Sequence, residues 1–196
     1  MSNETNLVIH PTAQYILFRD PTDFSSNAPA DTAFDLGIPS SDRITAVDID
    51  MTSLAASGGY RQSDKFDFGA IRAPFYRLDA CLEFATQQVD GENVNMYLGG
   101  TGNSTAGDGN PAHLTGVDGD WTEADGLLAQ LQYWGSLTLD ADPGSLLTEF
   151  LSKGKVGILV PDARQGILVV GNLAADAFQS AMDNSYLLAT PMTYGT

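Results

Sequence analysis

The sequence predicts a mainly β protein: an antiparallel β-sandwich of jelly-roll type with one short helix (about 122–134) and an extended N-terminal arm. Three observations carry this expectation. Apolar and polar residues alternate over several short runs, the pattern of half-buried strands. Pairs rich in Gly, Pro, Asn and Asp separate those runs, as turns do. Only one stretch, Ala124, Leu127, Leu128 and Leu131, spaces its apolar residues as a helix face does.

Residues 1–42 read as the arm. Leu7, Val8 and Ile9 form one short apolar run, and Tyr15, Ile16, Leu17 and Phe18 another. Pro11, Pro21, Pro29 and Pro39 punctuate the segment. Proline removes a ladder donor, so these runs are expected as edge strands or extended arm, available for contact with another subunit. The competing reading is an irregular lead-in packed on its own domain.

The sandwich domain is expected over residues 43–196. Ile44, Val47, Ile49 and Met51 form a half-buried strand, followed by a weaker one around Phe66 and Phe68. Leu78, Ala80, Leu82 and Phe84 alternate with Arg77, Asp79, Cys81 and Glu83. Val94, Met96 and Leu98 repeat the pattern, with an Asp90-Gly91 turn signal between. Tyr76 to Leu98 is therefore expected as a β-hairpin. Cys81, on the polar face of that hairpin, reads as a small filler, since no histidine lies near it to activate a thiolate.

A long glycine-rich loop follows at 99–120, with seven glycines and little apolar content. A segment this long without regular structure is normally functional or disordered. Beyond it, Thr122 with Asp125 has the form of a helix cap, and Gly135 suits the helix end. Strands are then expected at Ser136–Leu139, Leu146–Leu151, Val156–Val160, Gly166–Val170 and Tyr186–Ala189, with turns at Asp142-Pro-Gly144, Pro161-Asp162 and Gly171-Asn172.

Charge restricts the partners. Twenty-five Asp and Glu against nine Lys and Arg leave a formal net charge of −16. Nucleic acid and anionic membrane surfaces both call for the opposite sign. A single cysteine excludes an intramolecular disulfide, no basic residue precedes an apolar run near Met1, and no apolar run approaches a membrane span. Synthesis in a cytoplasm is the expectation.

The sequence carries no catalytic motif. The histidines are His10 and His113, and neither lies near a Gly-x-Ser-x-Gly elbow. Trp121, Tyr133, Trp134 and Tyr97 have the chemistry to stack on sugar rings, or to serve as core. The best metal candidate is calcium, held by Asp108, Asn110, Asp118 and Asp120, which offer hard oxygen donors. The same residues suit ordinary turns, where Asp and Asn bond their own backbone.

Several runs resemble a group of tailed-bacteriophage virion proteins: Val94-Asn-Met-Tyr-Leu-Gly-Gly100, Ser104-Thr-Ala-Gly107, Asn110-Pro111, Thr115-Gly-Val-Asp118, Leu128-Ala-Gln-Leu-Gln-Tyr-Trp-Gly-Ser-Leu137 and Gly166-Ile-Leu-Val-Val-Gly-Asn172. These proteins are capsid decoration or head-associated proteins with a jelly-roll-like sandwich. The resemblance covers about residues 76–190. It implies a non-enzymatic structural role, in many copies on the capsid surface of a virion, with the major capsid protein and neighbouring copies as partners; the exclusion of nucleic acid and membrane rests on the charge alone. The resemblance carries no catalytic residue and no cofactor. Two alternatives stand beside it: a tail or fibre component binding host glycan, and a glycosidase-like sandwich enzyme with an acid pair in a cleft beside Trp121, Tyr133 or Trp134.

Overall fold

The computed structural model describes residues 7–20, 43–124, 126–140, 150–180 and 185–195. Within them lie twelve strands: β1 (Leu7–Ile9), β2 (Tyr15–Arg19), β3 (Ile44–Asp48), β4 (Gly59–Gln62), β5 (Phe66–Asp67), β6 (Phe75–Phe84), β7 (Asn93–Thr101), β8 (Gly119–Asp120), β9 (Gln132–Thr138), β10 (Phe150–Leu159), β11 (Gln165–Asn172) and β12 (Tyr186–Tyr194). They form two six-stranded sheets. Sheet A runs β10-β6-β12-β2-β3, with β1 also on β12; sheet B runs β8-β4-β11-β7-β9, with β5 also on β11. All pairings are antiparallel except β2 with β3, which is parallel.

The sheets face each other across one core. Ile16, Phe18, Leu78, Ala80, Leu82, Phe84, Leu187 and Ala189 come from sheet A, and Val94, Met96, Leu98, Leu137, Leu168 and Val170 from sheet B. Burial of such side chains contributes ~1.5–3 kcal/mol each, the main force holding the layers together. At one margin the backbones themselves touch. A Cβ on Gly135 would come 2.2 Å from the Val156 carbonyl oxygen, and one on Gly157 would come 2.3 Å from that of Trp134. Glycine at both positions lets β9 of sheet B lie against β10 of sheet A. Gly135 thus serves a strand contact and not a helix end.

Three expectations are corrected. First, β6 and β7 form as strands, but they do not pair as a hairpin. β6 pairs with β10 and β12, β7 with β9 and β11. The Asp-Gly turn is present, with Gly91 at φ +83°, yet it lies in a link that crosses between sheets. Alternation reports which face is buried, and both strands bury theirs in the same core from opposite sides.

Second, the helix expected over 122–134 is a single 3-10 turn, Leu127–Gln130, entered from Gly126 at φ +81° with no side-chain cap, and β9 begins at Gln132. Third, residues 7–19 are not a free arm. β2 lies between β12 and β3, and all five of its residues are buried. Pro11 lies between β1 and β2. Both strands lie along the same side of β12, one on each side of the break. Arg43 ties the break down, donating to the His10 and Ala13 carbonyls (2.7 and 2.8 Å) and stacking on the Tyr15 ring. A parallel pair such as β2–β3 needs a crossover of about a dozen residues or more between its strands. Pro21, Pro29, Pro39, the Asp142-Pro-Gly144 turn and residues 146–149 lie outside the described residues.

Candidate functional site

The glycine-rich loop is a folded cover on sheet B. Ala112, Leu114 and Trp121 pack with Leu131 on Ile167 and Val169, on the side of β11 facing away from the core. Two glycines make this possible. Gly99 leaves the space that Leu114 and Pro111 fill, since a Cβ there would come 2.5 Å from Leu114 Cδ1. Gly116 has φ +71°, and a Cβ on it would meet the Ala106 carbonyl oxygen at 2.2 Å. Polar side chains stitch the rest. Gln62 Oε1 accepts from Thr115 N (2.9 Å), Gln130 Oε1 from Ala112 N (3.0 Å), and Trp121 Nε1 donates to the Ala112 carbonyl (3.0 Å).

Two cations from β4 and β5's approach hold the loop's negative atoms. Lys65 Nζ donates to the carbonyls of Asn103 (3.2 Å), Thr105 and Asp108 (3.0 Å). Burial lowers the pKa of this ammonium, and Asp108 opposes that shift. Arg61 grips Asp118 with two bonds, Nε to Oδ1 and Nη2 to Oδ2, both 2.9 Å, and donates to Asp120 Oδ1 at 3.0 Å. Asp50 lies 3.7 Å away on the same guanidinium. The Asp118 bonds raise the Arg61 pKa, against the effect of burial.

The four calcium candidates have other partners in this arrangement. Asp118 and Asp120 bind Arg61. Asn110 donates its amide to the Ala106 and Leu114 carbonyls (2.6 and 2.8 Å), and Asp108 offers its carbonyl to Lys65. Among the described residues no three His, Cys, Asp or Glu side chains gather where a metal ion would sit. Arg61 and Lys65 were missed by motif reading. Their signal was scarcity: in a chain with nine basic residues and twenty-five acids, a cation beside an acidic loop has a partner to meet.

Beside Arg61 opens a cleft of about 580 Å³, lined by Asp50, Thr52, Tyr60, Asp120, Trp121 and Glu123 among others. Trp121 is buried in its wall, edge-on to Tyr60 at 5.5 Å between centroids. The remaining aromatic candidates separate. Trp134 belongs to the inter-sheet core, while Tyr97 and Tyr133 meet at 5.5 Å on the outward side of sheet B. His10 is a turn residue whose Nδ1 accepts from Thr12 and Ala13 N, and His113 sits in the loop in a left-handed conformation, φ +57°.

The expected contact residues also divide. Tyr15, Ile16, Leu17 and Phe18 are fully buried within sheet A and have no surface to offer. Ile16 and Phe18 face the core; Tyr15 and Leu17 pack with Cys81, Tyr186 and Leu188 on the sheet's other side. Cys81 is thus a buried filler, as its chemistry suggested. Leu7, Val8 and Ile9 stay at the surface in β1, and Ile9 is 48% exposed. Register places them beside further apolar residues: Ile9 opposite Met192, Met192 opposite Phe75, and Leu7 opposite Tyr194. Phe75 and Tyr194 make an edge-to-face pair at 4.9 Å, and Tyr194 is 54% exposed. Ile158, also exposed, lies opposite Arg77 at the same end of the sheet.

Comparison with protein-family models, with curated proteins and with solved structures found no significant match to this chain. No helix among the described residues is long and apolar enough to cross a membrane.

Proposed function

We propose that this protein is a non-enzymatic structural component of a virus particle, a decoration or cement protein of jelly-roll type that binds the capsid surface. Its partners are the major capsid protein and neighbouring copies of itself. The observation that carries the proposal is the end of sheet A's outward face, where exposed Ile9, Ile158 and Tyr194 share one side with Leu7 and half-buried Phe75, while Val8 is exposed on the other side of β1. Several exposed apolar side chains at one end of a sheet, on a chain this acidic, suit a contact with another protein. The resemblance of residues 76–190 to phage head proteins supplies the kind of partner.

Charge bears on how the contact works. At a formal −16, copies brought together repel one another, over a range that salt shortens to about 8 Å at physiological ionic strength. Assembly therefore rests on apolar burial, and binding holds or improves as salt rises.

The test is cosedimentation with undecorated shells. Deleting residues 1–42 would remove β2 from the interior of sheet A, so it cannot separate binding from folding. A double variant, Ile9→Asp with Tyr194→Asp, changes two exposed side chains and leaves β2 intact. The expected result is a folded protein whose shell binding falls at least about tenfold, the effect of losing ~1.4 kcal/mol of contact. Undiminished binding by the double variant removes the patch from the proposal, and a wild-type chain that ignores shells removes the decoration role.

A further inference from the structure

We infer that the open half of sheet B's outward face, with the adjoining cleft, is a binding surface for a neutral oligosaccharide. The inference does not depend on the viral-shell proposal, which uses the opposite sheet. Three tyrosines line this face. Tyr60 comes from β4, Tyr97 from β7 and Tyr133 from β9; Tyr97 and Tyr133 are register partners, and Tyr133 is 55% exposed. Between β4 and β7 lies β11, and opposite Tyr60 it carries Gly171, where a Cβ would come 2.5 Å from the tyrosine ring. Tyr60 therefore lies over bare backbone and carries the row across the sheet. With strands ~4.8 Å apart, the row from β4 to β9 spans about 15 Å, long enough for several sugar rings.

Around Tyr97 and Tyr133 the polar groups are uncharged amides and hydroxyls. Asn95 Nδ2 donates to the Tyr97 hydroxyl (3.2 Å), and Ser136 and Thr138 donate to Asn93 Oδ1 (3.2 and 3.0 Å). β7, β9 and β11 contain no charged residue, although acids abound elsewhere in the chain. Amides, hydroxyls and half-exposed rings match a ligand that is itself uncharged, rich in hydroxyls and flat on its apolar side. Rings bury the apolar face of such a ligand, and amides exchange hydrogen bonds with its edge. At the β4 end the row runs into the cleft, where Asp50 and Asp120, both paired with Arg61, and Glu123 supply acceptors for sugar hydroxyls and leave a net negative charge. The loop bounds the surface on one side, where Tyr60 and Tyr97 pack against the cluster that Leu114 and Trp121 form over Ile167 and Val169. A phosphorylated or sulfated ligand would face those carboxylates and is disfavoured.

The test is an array of neutral oligosaccharides, with sialylated and sulfated ones beside them, followed by calorimetric titration of the best-bound neutral glycan. Full-length wild-type protein is expected to capture neutral glycans. Tyr133→Ala, a change at an exposed position, should weaken binding about tenfold with an unchanged melting temperature, Tyr133→Phe should retain most of it, and Ile71→Ala, remote from the row, should match wild type. Capture of no neutral glycan, or of charged ones alone, overturns the inference. So does wild-type affinity in both Tyr133→Ala and Tyr97→Ala.

Discussion

Sheet A and sheet B enclose the same core but present unlike surfaces. The free end of sheet A carries the apolar side chains Ile9, Ile158, Phe75 and Tyr194, with the Arg77–Asp79 ion pair beside them. The open half of sheet B is built from tyrosine, asparagine, serine and threonine. The first chemistry suits a dry contact with another protein; the second suits a ligand that brings its own hydroxyls. Both surfaces are formed by the outward positions of strands whose inward positions are ordinary core. The difference shows that the core specifies the sandwich, while the alternate residues of each strand are free to diverge.

Both outward faces also carry a buried apolar cluster, and the largest effects are expected there. Trp121→Ala removes the ring that joins the loop to sheet B, along with its bond to the Ala112 carbonyl. A loss of ~3–5 kcal/mol is expected. Leu17→Ala, in the cluster on sheet A, should cost ~2–5 kcal/mol. Urea denaturation of both variants checks the magnitudes, and hydrogen exchange separates the faces. Trp121→Ala should deprotect amides in 99–120 ahead of global unfolding, whereas Leu17→Ala should lower protection throughout sheet A. Equal deprotection of the loop in both variants would contradict the picture of two separate outer layers.

A smaller effect is expected at Lys65. Lys65→Met keeps much of the side-chain bulk but abandons the carbonyls of Asn103, Thr105 and Asp108. A cost of about 1 kcal/mol is expected, since these bonds lie at the surface. The wild-type melt should not move on adding either calcium or chelator, because Lys65 and Arg61 already occupy the cation positions. A calcium-dependent rise in melting temperature would restore a metal site to the loop.

Two carboxylates give the smallest effects, with opposite signs. Burial pushes Asp48 above the usual carboxylate range, with Asp64 close by adding to the shift and Arg19 opposing it. For Asp67, burial acts upward but is outweighed by bonds from Arg164, Gly69 N and Gln165, which hold it below the usual range. A depressed acid contributes stability above its unfolded pKa that is lost as pH falls through its folded value. A raised one contributes stability at low pH that is lost as pH rises through its folded value. At pH 7, Asp48→Asn should therefore raise the melting temperature by about 1–2 °C and Asp67→Asn should lower it by a similar amount. Below pH 3 both differences should shrink. A scan of melting temperature against pH for the two variants checks the signs.

The strands were legible where alternation was clean, and their pairing was not. Leu78 to Phe84 and Val94 to Leu98 declared their buried faces, but nothing local says whether two such faces lie side by side or across a core. β2 was misplaced for a related reason. Its run Tyr15–Phe18 is apolar on both sides, which marks a strand covered on both faces, and the prolines around it drew attention to the edges instead. The 3-10 turn shows the limit of a short period: Leu127, Leu128 and Leu131 do share a face, over one turn only. The loop's length was informative while its role was not, because Gly99, Gly116, Lys65 and Gln62 gain meaning only from atoms distant in sequence. Tyr97 and Tyr133 were visible as ring candidates. Tyr60 and Gly171 were not, since only the register brings a small residue under a large ring.

The most direct test of the proposed virion role is a density map of viral particles mixed with, or purified alongside, this protein. The account predicts density for the sandwich on the outer capsid surface, with the β1 end of sheet A against the shell and the tyrosine face of sheet B turned to solvent. Density on the tail or fibres, or none on the particle, would contradict it, and a capsid-bound orientation with sheet B against the shell would contradict the division of labour between the two faces.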